Sequence, residues 1–444
     1  MINITNNTNT NDITVVNSIM GSGKTSWAIQ YINTHPDESF IYCTPYLSEI
    51  NRIKEVSDRH FYDPQFRNGR KLDDFNMLLM EGKDIALTHS TFSHSDDETL
   101  NFLSKGNYCL FLDEALDIIV NYNEVCSEER KLKSNDVDLL IEEQFIKIDK
   151  YGKVSWQKKS YPDAKYADVE RLAKKGYLYY LDRTMLVWQF SPEIFKKFKK
   201  VYVLTYLFKG STLKPYFEYH SLTYHMAQIA HDGDKYYLAE YKTDTEQRKQ
   251  YKDLIHIYSN EKMNNYKQQS LSKRWFERAQ KQGLKPLHDN IFNYFHNVMK
   301  VKSKDIMWTC PKAYQKFLKG RGYNIVRSLT DEEREKLTKK EKKELETKLS
   351  CFVPCNAKAT NDFATRSVLA YAINMYPNPY IKRYFENKNI IDGTNIQMDE
   401  DYFALSCLLQ WIWRSQIRNG KPINIYIPST RMRHLLQMWL DGKM

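Results

Sequence analysis

No run of about eighteen apolar residues occurs anywhere along the 444-residue chain, so no segment reads as a membrane-spanning helix. The first residues, Met1 to Asn11, are rich in Asn and Thr and hold no apolar stretch of the signal-peptide kind. A soluble, cytoplasmic protein is expected. Cysteine is sparse, with seven residues at 43, 109, 126, 310, 351, 355 and 407. An odd, scattered set builds no disulfide framework and suits a reducing compartment. Cys351 and Cys355 stand four apart, but no second Cys or His pair accompanies them at metal-ligand spacing. Two core-facing thiols on a strand are therefore expected there, rather than zinc. Internal repeats, low-complexity tracts and a nucleophile-and-base set of the hydrolase type are also lacking.

Apolar residues are plentiful, at 42%, and charged residues reach 27%, the balance of a soluble chain with real cores. Lys and Arg number 66 against 55 Asp and Glu, a formal charge of +11. That sign favours a polyanionic partner, of which nucleic acid is the commonest, although a merely basic soluble protein has the same balance. The length suits two domains plus an insertion. Short apolar runs at Ile13–Val16, Phe40–Cys43, Ile85–Leu87, Tyr108–Leu112 and Val201–Leu204 alternate with helical patterns, predicting a parallel sheet covered on both faces.

This gives an N-terminal domain over 1–218, with an insertion at about 121–191. A polar connection follows at 219–250, then a C-terminal domain over 251–444. Predicted strands in the latter lie at Leu254–Tyr258, Asp305–Trp308, Cys351–Val353 and Ile423–Ile427, with a helix from Ser367 to Tyr376. Asp331 to Lys348 holds seven acidic and seven basic residues at helical spacing, a solvated face whose charges cancel. Inside the insertion, Gln144–Ile148 and Lys153–Trp156 flank Gly152 as a hairpin. From Lys147 to Lys175 there are nine Lys or Arg and four Asp or Glu, interleaved with Tyr151, Trp156, Tyr161 and Tyr166. Cations and ring faces together suit a single strand, with Lys147, Lys153 and Trp156 as candidate contacts. The alternative is an insertion whose rings fill its own small core.

Chemistry concentrates at Ser18-Ile19-Met20-Gly21-Ser22-Gly23-Lys24-Thr25-Ser26, which follows a strand and opens a helix as a P-loop does. Its glycines let backbone amides turn inward on phosphates, and the helix N-terminus favours negative charge. Met20 to Ser26 would cradle ATP, Lys24 would reach the β and γ phosphates, and the Thr25 hydroxyl would bind Mg²⁺. A second motif, Leu110-Phe111-Leu112-Asp113-Glu114, ends an apolar strand in two carboxylates. Asp113 would hold Mg²⁺ through water, and Glu114 would orient and deprotonate the attacking water.

With Thr44-Pro45-Tyr46, Thr88-His89-Ser90-Thr91-Phe92, Val203-Leu204-Thr205-Tyr206, Asn356–Asp362 and Gln410–Arg418, these motifs run in the order of the superfamily 2 helicases. The chain resembles that family over nearly its whole length, and its bacteriophage-encoded DNA helicases in particular. The resemblance implies an α/β fold of two RecA-like P-loop domains, each a mainly parallel sheet flanked by helices, with an insertion in the first. It also implies ATP in the cleft between them and single-stranded or forked DNA as partner, in phage replication or recombination. Thr44, Pro45 and Thr91 would touch the nucleic-acid backbone, and Thr205 would couple hydrolysis to movement. Asp362 would contact ribose or the interdomain cleft, Gln410 would face the nucleotide, and Arg414 or Arg418 would act as arginine finger. Gln410, Arg414 and Arg418 recur every four residues, which on a helix places them on one face. They depart from the family in standing four apart rather than three, with Trp413 where it has Gly. Thr44 and Thr91 are equally good as helix caps, and Asn361-Asp362 as a cap. Trp411 and Trp413 read as packing, and His89 and His94 as surface or core residues. Two other classes fit the P-loop, a nucleotide-switched loading protein and a small-molecule kinase.

Overall fold

The computed structural model describes residues 12–133, 135–158, 160–323, 337–339, 341, 350–355 and 362–444. Most of the charge-balanced stretch 331–348, and Asn356 to Asn361 of the fifth motif, lie outside the described residues. In chain order the first strands are β1 (Asp12–Asn17), β2 (Ser39–Thr44), β3 (Ile85–Thr88), β4 (Tyr108–Asp113), β5 (Ile119–Asn121), β6 (Ile146–Ile148), β7 (Val154–Trp156) and β8 (Leu178–Leu181). They continue as β9 (Met185–Gln189), β10 (Lys200–Thr205), β11 (Tyr224–Asp232), β12 (Lys235–Glu240), β13 (Ile255–Tyr258), β14 (Ile306–Thr309), β15 (Val368–Tyr371) and β16 (Ile423–Tyr426).

The chain divides into two units. One contains Ser22–Tyr241 and Pro377–Asp399 together with β1; the other contains Ile19–Gly21, Lys242–Tyr376 and Glu400–Met444. The first unit is built on a sheet in the order β12-β11-β1-β10-β4-β2-β3. Every pairing in it is parallel except β11 with β12. Its central strands are apolar at nearly every position because helices cover both faces, as the sequence pattern predicted. The register sets Asn17 beside Thr205 and Leu204 beside Asp113, so the C-terminal ends of β1, β10 and β4 share one edge. The second unit carries a parallel sheet, β13-β16-β15-β14.

Two expectations about elements are corrected. The polar stretch read as a connection contains the β11–β12 hairpin, which extends the first sheet. β11 buries only Ala227 and Ile229, and β12, at the sheet edge, mixes half-buried and exposed positions, so the apolar run that marks a central strand is missing. The helix expected from Ser367 to Tyr376 is instead strand β15, buried at all four positions. A short, continuously apolar run has no period of its own, and pairing on both sides decided the matter. At the Cys351–Val353 run, Phe352 makes a single parallel bridge to Trp308. Cys351 is buried, Cys355 is half-buried, and all seven cysteines are free.

The insertion forms the antiparallel sheet β5-β9-β8 and the β6–β7 hairpin around a core that includes Leu140, Val154, Val169 and Leu172. Gly152 has φ 78°, and a Cβ there would stand 2.7 Å from the Tyr180 carbonyl oxygen, so the hairpin turn requires glycine. The segment Pro377–Asp399, within the run expected to be purely C-terminal domain, groups with this first unit. Its helix, Pro379–Asp392, buries Tyr384 against Tyr179 and Tyr219, at ring-centre distances of 5.2 and 5.4 Å, and the Tyr384 hydroxyl donates to Gln189. Arg383 pairs with Asp182 at 2.7 Å. Tyr384→Ala is expected to cost about 3–5 kcal/mol, the range for removing a buried ring. Urea unfolding followed by tryptophan fluorescence should show an earlier first transition; an unchanged midpoint would mean that the helix contributes no docking energy.

Candidate nucleotide-binding site

Between β1 and the helix Lys24–Thr34 the chain turns through Gly21 at φ 80° and Gly23 at φ 89°, conformations that L side chains resist. Ser18, where P-loops usually begin with glycine, is buried and ties the turn to both neighbouring strands. Its amide donates to the Thr205 carbonyl at 3.1 Å and its hydroxyl accepts from the Ile229 amide at 2.7 Å. The β11–β12 hairpin also holds the helix that follows. Gln30 donates to the Asp234 carbonyl at 2.7 Å and accepts from the Tyr236 amide at 2.9 Å. The Tyr236 ring lies against Gly23 so closely that a Cβ on the glycine would stand 2.1 Å from the ring. Sequence reasoning missed this support because it treated the hairpin as linker.

The Lys24 ammonium donates to the Ser18 carbonyl at 2.6 Å, folded back over the loop it serves. Burial pushes its pKa below the ordinary lysine value, while Glu114 and Asp113 pull it upward. Asp113 ends β4 and accepts from the buried Thr44 hydroxyl at 3.1 Å. Desolvation, then the like charges of Glu114 and Glu49, push Asp113 up to about 7. Glu114 adopts a left-handed φ of 64°, and its amide donates to the Leu204 carbonyl at 3.0 Å. A side chain in that region is strained and is held there by its surroundings.

Two observations fit a bound nucleotide and Mg²⁺. The Ser22 hydroxyl oxygen is enclosed without a hydrogen-bond partner, beside two glycines that turn the backbone inward. Burial, and after it the like charge of Glu114, raises Asp113 to about 7, and a divalent cation would favour its ionised form against both. Mg²⁺ commonly uses one or two carboxylates and fills its remaining positions with water and substrate phosphate.

His89, read from sequence as a surface or core residue, hydrogen-bonds through Nε2 to the Asp113 carbonyl at 2.9 Å. Burial lowers its pKa to about 4, so it is neutral near pH 7. Thr205 is buried at the end of β10. Pro45 follows Thr44 and is half-buried. Thr88, rather than Thr91, supplies the cap of the helix His89–Ser93, accepting from the Thr91 amide at 3.3 Å.

In the second unit, Gln410, Arg414 and Arg418 do not share one helical face. The helix Glu400–Ile412 ends before Arg414, and Ser415 caps a separate 3-10 turn, Gln416–Asn419. Arg414 is buried and donates to the Cys355 carbonyl at 3.5 Å; Arg418 and Asp362 are exposed. The Trp411 indole donates to the Val353 carbonyl at 2.9 Å, and Trp413 packs on Tyr251 and Trp439, so both serve packing as expected. In the insertion Lys147 is exposed and Lys153 half-buried, while the Trp156 ring packs on Phe145 at 5.6 Å. Tyr161 and Tyr166 continue that cluster. Among the described residues no group of three or more His, Cys, Asp or Glu is placed to hold a metal by itself, and no helix is long and apolar enough to cross a membrane.

The SPbeta prophage-derived uncharacterized protein YonV of Bacillus subtilis (strain 168) is 35% identical over 451 residues, covering 97% of this chain and 99% of that protein. This chain belongs to the YonV family. The YonV C-terminal Rossmann-like domain matches residues 249–440, and the YonV middle domain matches 128–188, inside the insertion. A solved structure titled XPD helicase aligns over 96% of this YonV-family chain and 95% of its own, with a TM-score of 0.50 at 12% identity. At that identity the likeness shows the fold. That fold is α/β, with mainly parallel, RecA-like sheets flanked by helices, as the sequence motifs implied.

Proposed function

We propose that the protein is an ATP-driven helicase or translocase that acts on nucleic acid, most simply on single-stranded or forked DNA. One observation carries the reading. A glycine turn, its lysine and an adjacent carboxylate pair meet at the C-terminal edge of a parallel sheet, in a helicase fold. In this reading Met20–Ser26 hold the phosphates of ATP, and Lys24 leaves the Ser18 carbonyl to neutralise them. Thr25 and Asp113 would hold Mg²⁺, which when bound supplies positive charge against the phosphates. Glu114 takes the proton of the attacking water, from a Cα held at the end of β4 by its amide hydrogen bond to Leu204. Thr44 and His89 keep Asp113 in place through its side chain and carbonyl. Thr205, joined to Ser18 through the backbone, couples nucleotide state to β10. Arg414 or Arg418 stabilises charge on the transferring phosphoryl group, and Asp362 and Gln410 face the nucleotide. A prophage-derived relative supports a phage setting, in which the work would be DNA replication or recombination in the host cytoplasm.

Strand displacement from a forked, fluorescently labelled duplex tests the motor reading. ATP-dependent release of the labelled strand is expected, and none with a non-hydrolysable analogue. ATP hydrolysis without release or movement would instead mark a nucleotide-switched loading protein. A small molecule phosphorylated at the expense of ATP would mark a kinase.

A further inference from the structure

A groove within the first unit runs between the RecA-like sheet's helices and the insertion. Lys71 and Thr91 contribute from one wall, and Arg130, Arg171 and Lys175 from the other. Five Lys or Arg side chains line it against two Asp. Asp168 accepts from Arg130 at 2.8 Å and from Arg171 at 3.3 Å, so one carboxylate orients two guanidiniums and leaves their sum positive. Those guanidinium side chains remain 40% and 53% exposed. Lys175 reaches Asp97 only at 3.7 Å, and that carboxylate is 77% exposed, a pairing that solvent weakens. At the rim stands Phe66, 76% exposed, with the Lys71 ammonium 5.6 Å from its ring centre.

Positive charge alone would admit any polyanion. The ring narrows the choice, because a single strand offers both phosphates to the cations and an open base face to the phenyl group, whereas a duplex keeps its base faces stacked inside. At the β6–β7 hairpin, where the sequence pointed first, the Trp156 ring is packed on Phe145. We infer that this groove is the path of a single nucleic-acid strand across the first unit, with Phe66 stacking on a base and Arg130, Arg171 and Lys175 neutralising successive phosphates. The inference rests on the proposed function and deepens it by naming a face and a base-stacking residue.

The test is fluorescence anisotropy of a labelled oligo(dT) strand with the full chain, titrated at several salt concentrations. Phe66→Ala should bind about 5- to 150-fold more weakly, the loss of one stacked base, with the salt slope unchanged. R171A/K175A should flatten the slope of log affinity against log salt by about 1.4, the release of two phosphate contacts on a single strand. Thermal unfolding of both variants, altered only at partly exposed side chains, should match wild type and so separate binding from folding. Wild-type binding with both variants unchanged in affinity and slope would overturn the groove and leave the motor reading standing. No binding by wild type would overturn both.

Discussion

Replacing Glu114 with Gln is expected to lower ATP turnover about 100- to 10,000-fold, the range for removing a positioned general base. Nucleotide binding should survive. Gln has nearly the same shape, so the left-handed backbone at this residue and its amide bond to Leu204 have no reason to change. The substitution also removes the nearest like charge from Asp113, whose pKa should fall from about 7. Asp113 would then be more fully ionised near neutral pH, and Mg²⁺-dependent nucleotide affinity should hold or tighten. Phosphate release and binding of a fluorescent ATP analogue read the two effects separately. Turnover within a few-fold of wild type would exclude Glu114 as the base.

Gly23→Ala is expected to remove nucleotide binding and to destabilise the first unit. At φ 89° an alanine costs roughly 1–3 kcal/mol of backbone strain, and its Cβ would sit 2.1 Å from the Tyr236 ring. Relief requires either the loop or the β11–β12 hairpin to move, and the hairpin is held to Gln30 by two hydrogen bonds. A shifted loop loses amide contacts to the phosphates. Each hydrogen bond to a charged group contributes about 1.5–3 kcal/mol, so affinity should drop at least about tenfold. The double variant Gly23→Ala/Tyr236→Ala separates the causes. Removing the ring should restore part of the thermal stability without restoring affinity, because the positive φ remains forbidden. Wild-type nucleotide affinity in the single variant would mean that the turn does not contact phosphate.

The central strands and the glycine turn between β1 and the first helix were legible because their signals are local. Continuous apolar runs such as Tyr108–Leu112 can only be central strands or buried helix, and a Gly-containing turn between strand and helix decides which. Four features were not legible, three because tertiary partners made them and one because a local cap broke a helical phase. The β11–β12 hairpin looks polar because it forms a sheet edge, and only its bonds to Ser18 and Gln30 reveal its task. His89 lies in a motif that gives the histidine no role; its link is to a backbone carbonyl, which any residue at 113 would offer. The spacing of Gln410, Arg414 and Arg418 suggested one face, but Ser415 caps a new turn and breaks the phase. The docking of Pro377–Asp399 on the first unit rests on Tyr384 and Arg383, whose partners lie far away in sequence.

The central claim is that nucleic acid drives ATP hydrolysis at the Lys24, Asp113 and Glu114 site. Steady-state phosphate release by the wild-type chain, with and without oligo(dT) at saturating ATP and Mg²⁺, tests it most directly. The account predicts slow basal turnover that rises several-fold with the oligonucleotide and disappears in Glu114→Gln. Turnover equal with and without DNA or RNA, or no turnover at all, would contradict it.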